Sequence, residues 1–117
     1  MKDRKGNYYD RNGDEITVFE LDAKLEDLKY KFVKKELVNG YLISTAWLGV
    51  NMDHTRKGKP IIFETMIFKD NWGDQTIGYQ EKFEDAFDYQ ERYETEEQAR
   101  KGHETAVLFV KSQTRKK

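Results

Sequence analysis

Asn39-Gly40-Tyr41-Leu42-Ile43-Ser44-Thr45-Ala46-Trp47-Leu48-Gly49-Val50 is the stretch that decides the fold. Asn-Gly readily takes the positive φ angles of a two-residue hairpin turn, so one strand must enter it and another must leave. Tyr41 to Val50 is β-rich and apolar on both alternating sets, which predicts a central strand covered over much of both faces. Tyr30 to Val38 supplies the incoming strand. Downstream, the polar loop Asn51 to Lys59 leads to Pro60 and then Ile61 to Phe68, a third strand with proline at its first position, where a missing N–H is tolerated.

Phe87, Tyr89, Glu91 and Tyr93 alternate with Asp88, Gln90 and Arg92, which favours a last strand with an aromatic face. Asp70 to Gly78 reads as a loop or irregular hairpin pinned by Trp72, and Tyr79 to Ala86 leaves strand, turn and helical turn open. Toward the N-terminus, Tyr8 to Ile16 reads as a small hairpin about Asn12-Gly13. Thr17 and Glu20 then have capping-box spacing ahead of the stripe Leu21, Leu25, Leu28, a short amphipathic helix. Thr95 and Gln98 form a second capping box, with Glu96 and Glu97 suited to the helix dipole.

The helix that follows presents Ala99, Gly102, His103, Ala106, Val107 and Val110 as one stripe. Glycine costs about 1 kcal/mol against alanine inside a helix, so Gly102 implies close contact with an aromatic strand. The expected fold is α+β: a four- to five-stranded antiparallel meander, a C-terminal helix packed on one face and a short N-terminal helix. Residues 8–113 are expected to form the single domain, between a disordered N-terminus (1–7) and a basic tail (114–117).

Composition narrows the function classes. At 117 residues with 37% apolar, 37% charged and 14% aromatic residues, one compact aromatic-rich core under a dense charge shell is expected. The chain has no cysteine, which removes disulfides, thiolate metal sites and cysteine nucleophiles and fits a reducing compartment. Met1 to Asn7 lacks the apolar run of a signal peptide, and no stretch approaches a membrane span, so a cytoplasmic protein is expected. A net charge of −1 argues against a general nucleic-acid binder. Acidic residues nonetheless crowd Glu81 to Glu97. Glu81, Glu84, Asp85, Asp88 and Glu91 are the candidate docking face for a basic partner, against the plainer reading of a solvated face.

No phosphate-cradling glycine loop, nucleophile-elbow serine, zinc-binding histidine pair or cysteine cluster occurs. What remains is a sparse polar set on apolar elements: Asp53 and His54 in a loop, Glu64 in mid-strand, and His103 with Glu104 on the last helix. Glu64 needs a partner if its face is covered, and Arg92 is the nearest in kind. Asp53, His54, Glu64, Arg92 and His103 are therefore a candidate pocket. Its sharper version is a metal or acid/base site, its plainer one an ion pair plus two ordinary histidines. Trp47, Trp72, Tyr79, Phe83, Phe87, Tyr89 and Tyr93 offer stacking surfaces for a base, with core packing as the plainer assignment.

Ser44-Thr45-Ala46-Trp47-Leu48-Gly49, Asp53-His54, Pro60-Ile61-Ile62-Phe63-Glu64-Thr65-Met66-Ile67-Phe68, Gln90-Glu91-Arg92-Tyr93-Glu94-Thr95-Glu96-Glu97-Gln98-Ala99 and Gly102-His103-Glu104 occur in that order. In that combination the chain resembles a family of small uncharacterised bacteriophage and prophage proteins, over roughly Tyr8 to Val110. The resemblance implies a phage-encoded protein acting in the bacterial cytoplasm and places Asp53, His54, Glu64, His103 and Glu104 at family-pattern positions. It brings no biochemical activity, and this chain departs from it by a longer, more acidic insert between Phe68 and Gln90.

The leading expectation is a non-enzymatic accessory protein that binds and inhibits a host protein, such as a component of CRISPR or of a nucleotide-signalling defence, with no cofactor, catalytic residue or metal of its own. One rival is a small metal- or acid/base-dependent enzyme using Glu64, His54 and His103. Another is a pocket that sequesters a nucleotide messenger through aromatics and Arg92, most naturally in a symmetric homo-oligomer. Neither membrane nor direct nucleic-acid binding is expected.

Overall fold

The computed structural model describes residues 7–53, 55, 57–70 and 83–115, with backbone only at Asp70, Phe83 and Glu84. In chain order the elements are α1 (Val18–Glu26), α2 (Leu28–Lys31), β1 (Phe32–Val38), β2 (Tyr41–Trp47), β3 (Phe63–Asp70), β4 (Phe83–Tyr93) and α3 (Glu96–Thr114). The four strands form one antiparallel meander in the order β1-β2-β3-β4, with α3 laid across it. The expected α+β architecture is the one adopted.

The hairpin that fixes this topology turns at Asn39 (φ 51°) and Gly40 (φ 87°), closing on the pair Val38 and Tyr41. Both capping boxes form. Thr17 accepts from the Glu20 amide while Glu20 accepts from that of Thr17, and Thr95 and Gln98 do the same at the start of α3. The N-terminal hairpin is a single bridge, Tyr9 to Glu15, turning at Gly13 (φ 88°).

Several details differ from the sequence reading. The Leu21, Leu25, Leu28 stripe does not stay in one helix: Asp27 ends α1 and caps α2, so Leu28 turns outward and is 65% exposed. Strand β1 accordingly begins at Phe32 rather than Tyr30. β2 ends at Trp47, because the chain turns at Gly49 (φ 80°), where a Cβ would strike Leu21. β3 begins at Phe63, three residues after Pro60. α3 extends through Thr114, whose hydroxyl bonds the Val110 carbonyl and accepts from the Asn39 amide group. Asp70, expected to open a loop, instead ends β3 opposite Phe83, and residues 71–78 of that loop, Trp72 among them, lie outside the described residues, as does Tyr79.

The core is built in three layers of facing pairs between the sheet and α3. Trp47 opposes Phe63, Thr45 opposes Thr65, and Ile43 opposes Ile67, all six on one face of the sheet. Ala99 closes the first layer, and Ala106 and Val110 the last. His103 sits over the middle one. α1, α2 and the N-terminal hairpin add Leu21, Leu25, Tyr8, Tyr9 and Tyr30 around Trp47, whose Nε1 donates to the Tyr9 carbonyl at 2.8 Å. The small residues of α3 allow this close approach, as their spacing predicts.

The opposite face of the sheet has no described element over it. β2 is nonetheless covered over much of this face, as its composition predicts: Ser44 is buried and Leu42 and Ala46 are half-buried, while the inward set, Ile43, Thr45 and Trp47, is fully enclosed. Strand twist and neighbouring side chains, rather than a second layer, account for the partial cover of the outer set.

Candidate functional site

His103 is at the centre of the molecule. It and Thr45 are both 0% exposed, and each of the imidazole nitrogens has a partner on a different strand. Nε2 lies 2.9 Å from Glu36 Oε1 on β1, and Nδ1 lies 2.7 Å from Thr45 Oγ1 on β2, which in turn is 2.5 Å from Thr65 Oγ1 on β3. A carboxylate only accepts, so Nε2 carries the proton and donates to Glu36. Nδ1 of the neutral ring then accepts from the Thr45 hydroxyl, and Thr45 accepts from Thr65. Burial depresses the His103 pKa against the opposing pull of Glu36, while the hydrogen bond from His103 lowers that of Glu36.

Carboxylate, imidazole and hydroxyl in a row have the order of a nucleophile relay. Here the hydroxyl is sealed beneath α3, so no substrate reaches it. The row instead fixes α3 to three strands through directional bonds between two apolar layers. Tyr93 on β4 joins by packing rather than by a directional bond: its ring lies against Gly102, its buried hydroxyl makes no well-formed hydrogen bond, and burial raises its pKa against the opposing pull of the nearby Thr65 hydroxyl.

Glu64 is on the other side. Adjacent residues of a strand point to opposite faces, and Thr65 joins the His103 row, so Glu64 projects from the outer face. There Arg92 Nε donates to Glu64 Oε2 at 3.1 Å, on the cross-strand pair that the register places side by side. The candidate pocket therefore divides: Glu64 meets Arg92 as expected, and His103 meets neither. Asp53 organises its own loop, Oδ1 accepting from the amide and hydroxyl of Thr55, while Asn51 Oδ1 bonds the amides of Asp53 and Ile61. His54 lies outside the described residues. Among the described residues no group of His, Asp and Glu is arranged to hold a metal ion.

No family model, curated protein or solved structure matches this chain.

The outer face is the larger feature. Phe32, Lys35, Leu42, Ser44 and Phe68 line a shallow cavity of about 310 Å³ on it, with the Lys35 ammonium 4.2 Å from the Phe32 ring centroid. Ala46, Met66 and the Glu64–Arg92 pair continue the same surface toward β4.

β4 is irregular. Between the pairs Met66–Gln90 and Phe68–Asp85, β3 advances two residues while β4 uses five. The surplus is taken up at Phe87 (φ 61°) and Asp88 (φ 51°), both in the left-handed region. The bulge throws the Phe87 ring inward against Tyr41 and Phe109, at centroid distances of 5.0 and 5.3 Å. Strict alternation along Phe87 to Tyr93, the basis of the sequence reading, cannot accommodate this. Asp85 and Asp88 line a small cavity with Met66, Tyr89 and Gln90, while Glu91 stands on the α3 side beside Tyr89 and Tyr93. The acidic candidates thus spread along one sheet edge rather than gather on one face. Glu81 and the Glu84 side chain lie outside the described residues.

The sequence reading missed Glu36, Thr45 and Thr65. A signal existed: a histidine inside an apolar stripe demands polar partners, and Thr45 lies between the inward-facing Ile43 and Trp47. Arg11 was also missed. It donates to Glu96 through Nε (2.9 Å) and Nη2 (2.5 Å) and to the Tyr30 carbonyl through Nη1 (2.9 Å), and Arg100 bonds the same carboxylate. Glu96 is held below the usual carboxylate range chiefly by Arg11. No spacing in the sequence announces a pair 85 residues apart.

Proposed function

We propose that this protein is a non-enzymatic binding module of bacteriophage origin that acts by occupying a surface of a bacterial host protein, in the manner of an inhibitor of antiviral defence. The observation that carries this reading is the one-sided sheet. An outer face with Phe32, Leu42, Met66 and Phe68, bordered by the acidic edge at Asp85 and Asp88, has the make-up of a protein interface: an apolar centre and a charged rim. The phage origin and the host as target rest on the motif resemblance. The acid/base alternative loses its geometric basis, because Glu64 and His103 stand on opposite sides of the sheet.

The test is capture from bacterial lysate followed by affinity measurement with the purified partner. A basic host protein that binds the wild-type chain at least tenfold more tightly than Asp85→Lys/Asp88→Lys/Glu91→Lys supports the reading. Recovery of neither a protein nor a small ligand defeats it. Equal affinity for the triple variant removes the acidic edge from the interface.

A second reading has its own observation. The cavity of about 310 Å³ offers aromatic faces, an ammonium and a hydroxyl together, the groups a nucleotide needs for stacking and charge neutralisation. Native mass spectrometry of freshly purified protein distinguishes the two: a co-purifying nucleotide lost in Lys35→Ala supports sequestration, and an empty chain opposes it.

A further inference from the structure

The sheet has two terminal strands, and they differ in what they permit. A free strand edge is a template for another strand. On β4 the bulge at Phe87 and Asp88 interrupts that template, and pairing β4 with a copy of itself would set acidic residues against acidic residues.

β1 is different. The Phe32 amide donates to the Leu28 carbonyl at the end of α2; beyond it, the backbone hydrogen bonds of β1 among the described residues go to β2. The two-residue hairpin closes on Val38 and Tyr41, so Val38, Glu36 and Lys34 direct their amides and carbonyls toward β2, and those of Leu37 and Lys35 point outward. A second β1 running antiparallel about a two-fold axis at Lys35 pairs these outward groups. Within one chain Lys34 Nζ already lies 3.5 Å from Glu36 Oε1. The same operation places Lys34 of each copy directly opposite Glu36 of the other, twice, so that two ammoniums and two carboxylates gather into one alternating cluster on the α3 side of the sheet. Those are the non-hydrogen-bonded positions, where opposed side chains come closest. Shifting the axis to Glu36 or to Lys34 puts at the centre a residue whose backbone groups are already bonded to β2, and loses both complementary pairs.

Exposed apolar groups flank the same edge. Leu37 is 60% exposed on the outer side and Leu108 of α3 is 66% exposed on the inner side, beside a groove lined by Lys34, Glu36, Glu104, Val107 and Leu108. A second copy at β1 brings each groove against its symmetry mate. Lys35 itself falls on the axis, but its ammonium leans over the Phe32 ring at 4.2 Å, which draws the two charges apart.

We propose that the protein self-associates through β1 into a two-fold symmetric dimer with one continuous eight-stranded antiparallel sheet, held by reciprocal Lys34–Glu36 pairs and by Leu108. This goes beyond the partner-binding reading, because the β4 edge and most of the outer face stay free and each dimer carries two copies of them.

The chain has no cysteine, so Lys35→Cys introduces a single thiol at the proposed axis, where paired strands bring Cα atoms within disulfide range. Under mild oxidation Lys35→Cys is expected to convert to a covalent dimer rapidly, and Asp88→Cys on the β4 edge is not. Sedimentation of the unmodified chain is expected to give twice the 14.0 kDa of one copy. Lys34→Glu and Leu108→Glu, both at exposed positions, are each expected to raise the dimer dissociation constant at least tenfold without changing the circular dichroism spectrum. A wild-type chain that sediments as a monomer at about 100 μM overturns the proposal. So does a dimer unmoved by Lys34→Glu, or one that cross-links equally well from Asp88→Cys. Affinity for a host partner, read with the β4 reversals, is a separate measurement that a monomeric result leaves standing.

Discussion

The Tyr93 ring occupies the space that a side chain at position 102 would fill, so Gly102 is what lets α3 lie against β4. Gly102→Ala gains about 1 kcal/mol in helix propensity but forces the ring or the helix to move, an overpacking cost of about 1–3 kcal/mol. Net destabilisation is expected, with a lower urea midpoint and an unchanged slope. The Tyr93 hydroxyl is buried and makes no well-formed hydrogen bond, with the Thr65 hydroxyl beside it, so Tyr93→Phe is expected to change stability by no more than about 1 kcal/mol.

Acid should loosen the molecule in two stages of the same sign. The His103 pKa is lowered by burial, so the unfolded chain takes up this proton more readily, and stability falls as pH drops below about 6.5 toward the folded value. Glu36 is lowered by its bond to His103, so its contribution is present above the ordinary carboxylate value of 4.5 and is lost as pH falls through the folded value. Melting temperatures from pH 8 to pH 4 should decline steadily in the wild type. In His103→Gln the decline near pH 6 should be flattened; an unchanged slope there would assign it to another group, for which His54→Gln is the control.

Arg11 ties the N-terminal hairpin to the start of α3. Two charge-assisted bonds to Glu96 and one to the Tyr30 carbonyl, with an Arg11 side chain only 17% exposed, make Arg11→Ala cost about 1–3 kcal/mol. Hydrogen exchange is expected to rise first in residues 7–16, before the sheet opens.

The Glu64–Arg92 pair should behave asymmetrically. Glu64 is 13% exposed and Arg92 37%, so Arg92→Ala strands a half-buried carboxylate and is expected to destabilise more than Glu64→Gln, which leaves a neutral acceptor. Chemical denaturation of the two variants checks the order.

Asp88 holds a left-handed backbone conformation that glycine adopts without strain. Relief of a left-handed penalty of about 1–2 kcal/mol is offset by glycine's entropic cost of about 0.5–1 kcal/mol, so Asp88→Gly is expected to hold or slightly raise stability while weakening a basic partner, which separates the strain of the bulge from the use of its carboxylate.

Elements with local causes were legible in the sequence. Both capping boxes, the Asn39-Gly40 turn, the α3 stripe and the reason for Gly102 follow from residues within one or two turns of each other, and short-range sterics and hydrogen bonds act whatever the rest of the chain does. The Glu64–Arg92 pair was legible too, because a mid-strand carboxylate requires a cation and few stood on the neighbouring strand. The β4 bulge was not. Alternation from Phe87 to Tyr93 suggests a regular strand, and only the need to bring Phe87 against Tyr41 and Phe109 forces the surplus residues out of register.

The sequence by itself determined the four-stranded meander and its closing helix, since hydrophobic period and turn chemistry leave few ways to join these strands. Tertiary structure decided which side of the sheet each polar residue faces. One residue of register separates Glu64 on the outer surface from Thr65 in the core. The partners that turned His103 inward, Glu36, Thr45 and Thr65, come from three strands that only folding places around it. The same folding left β1 and the outer face uncovered among the described residues, and those surfaces carry the functional readings.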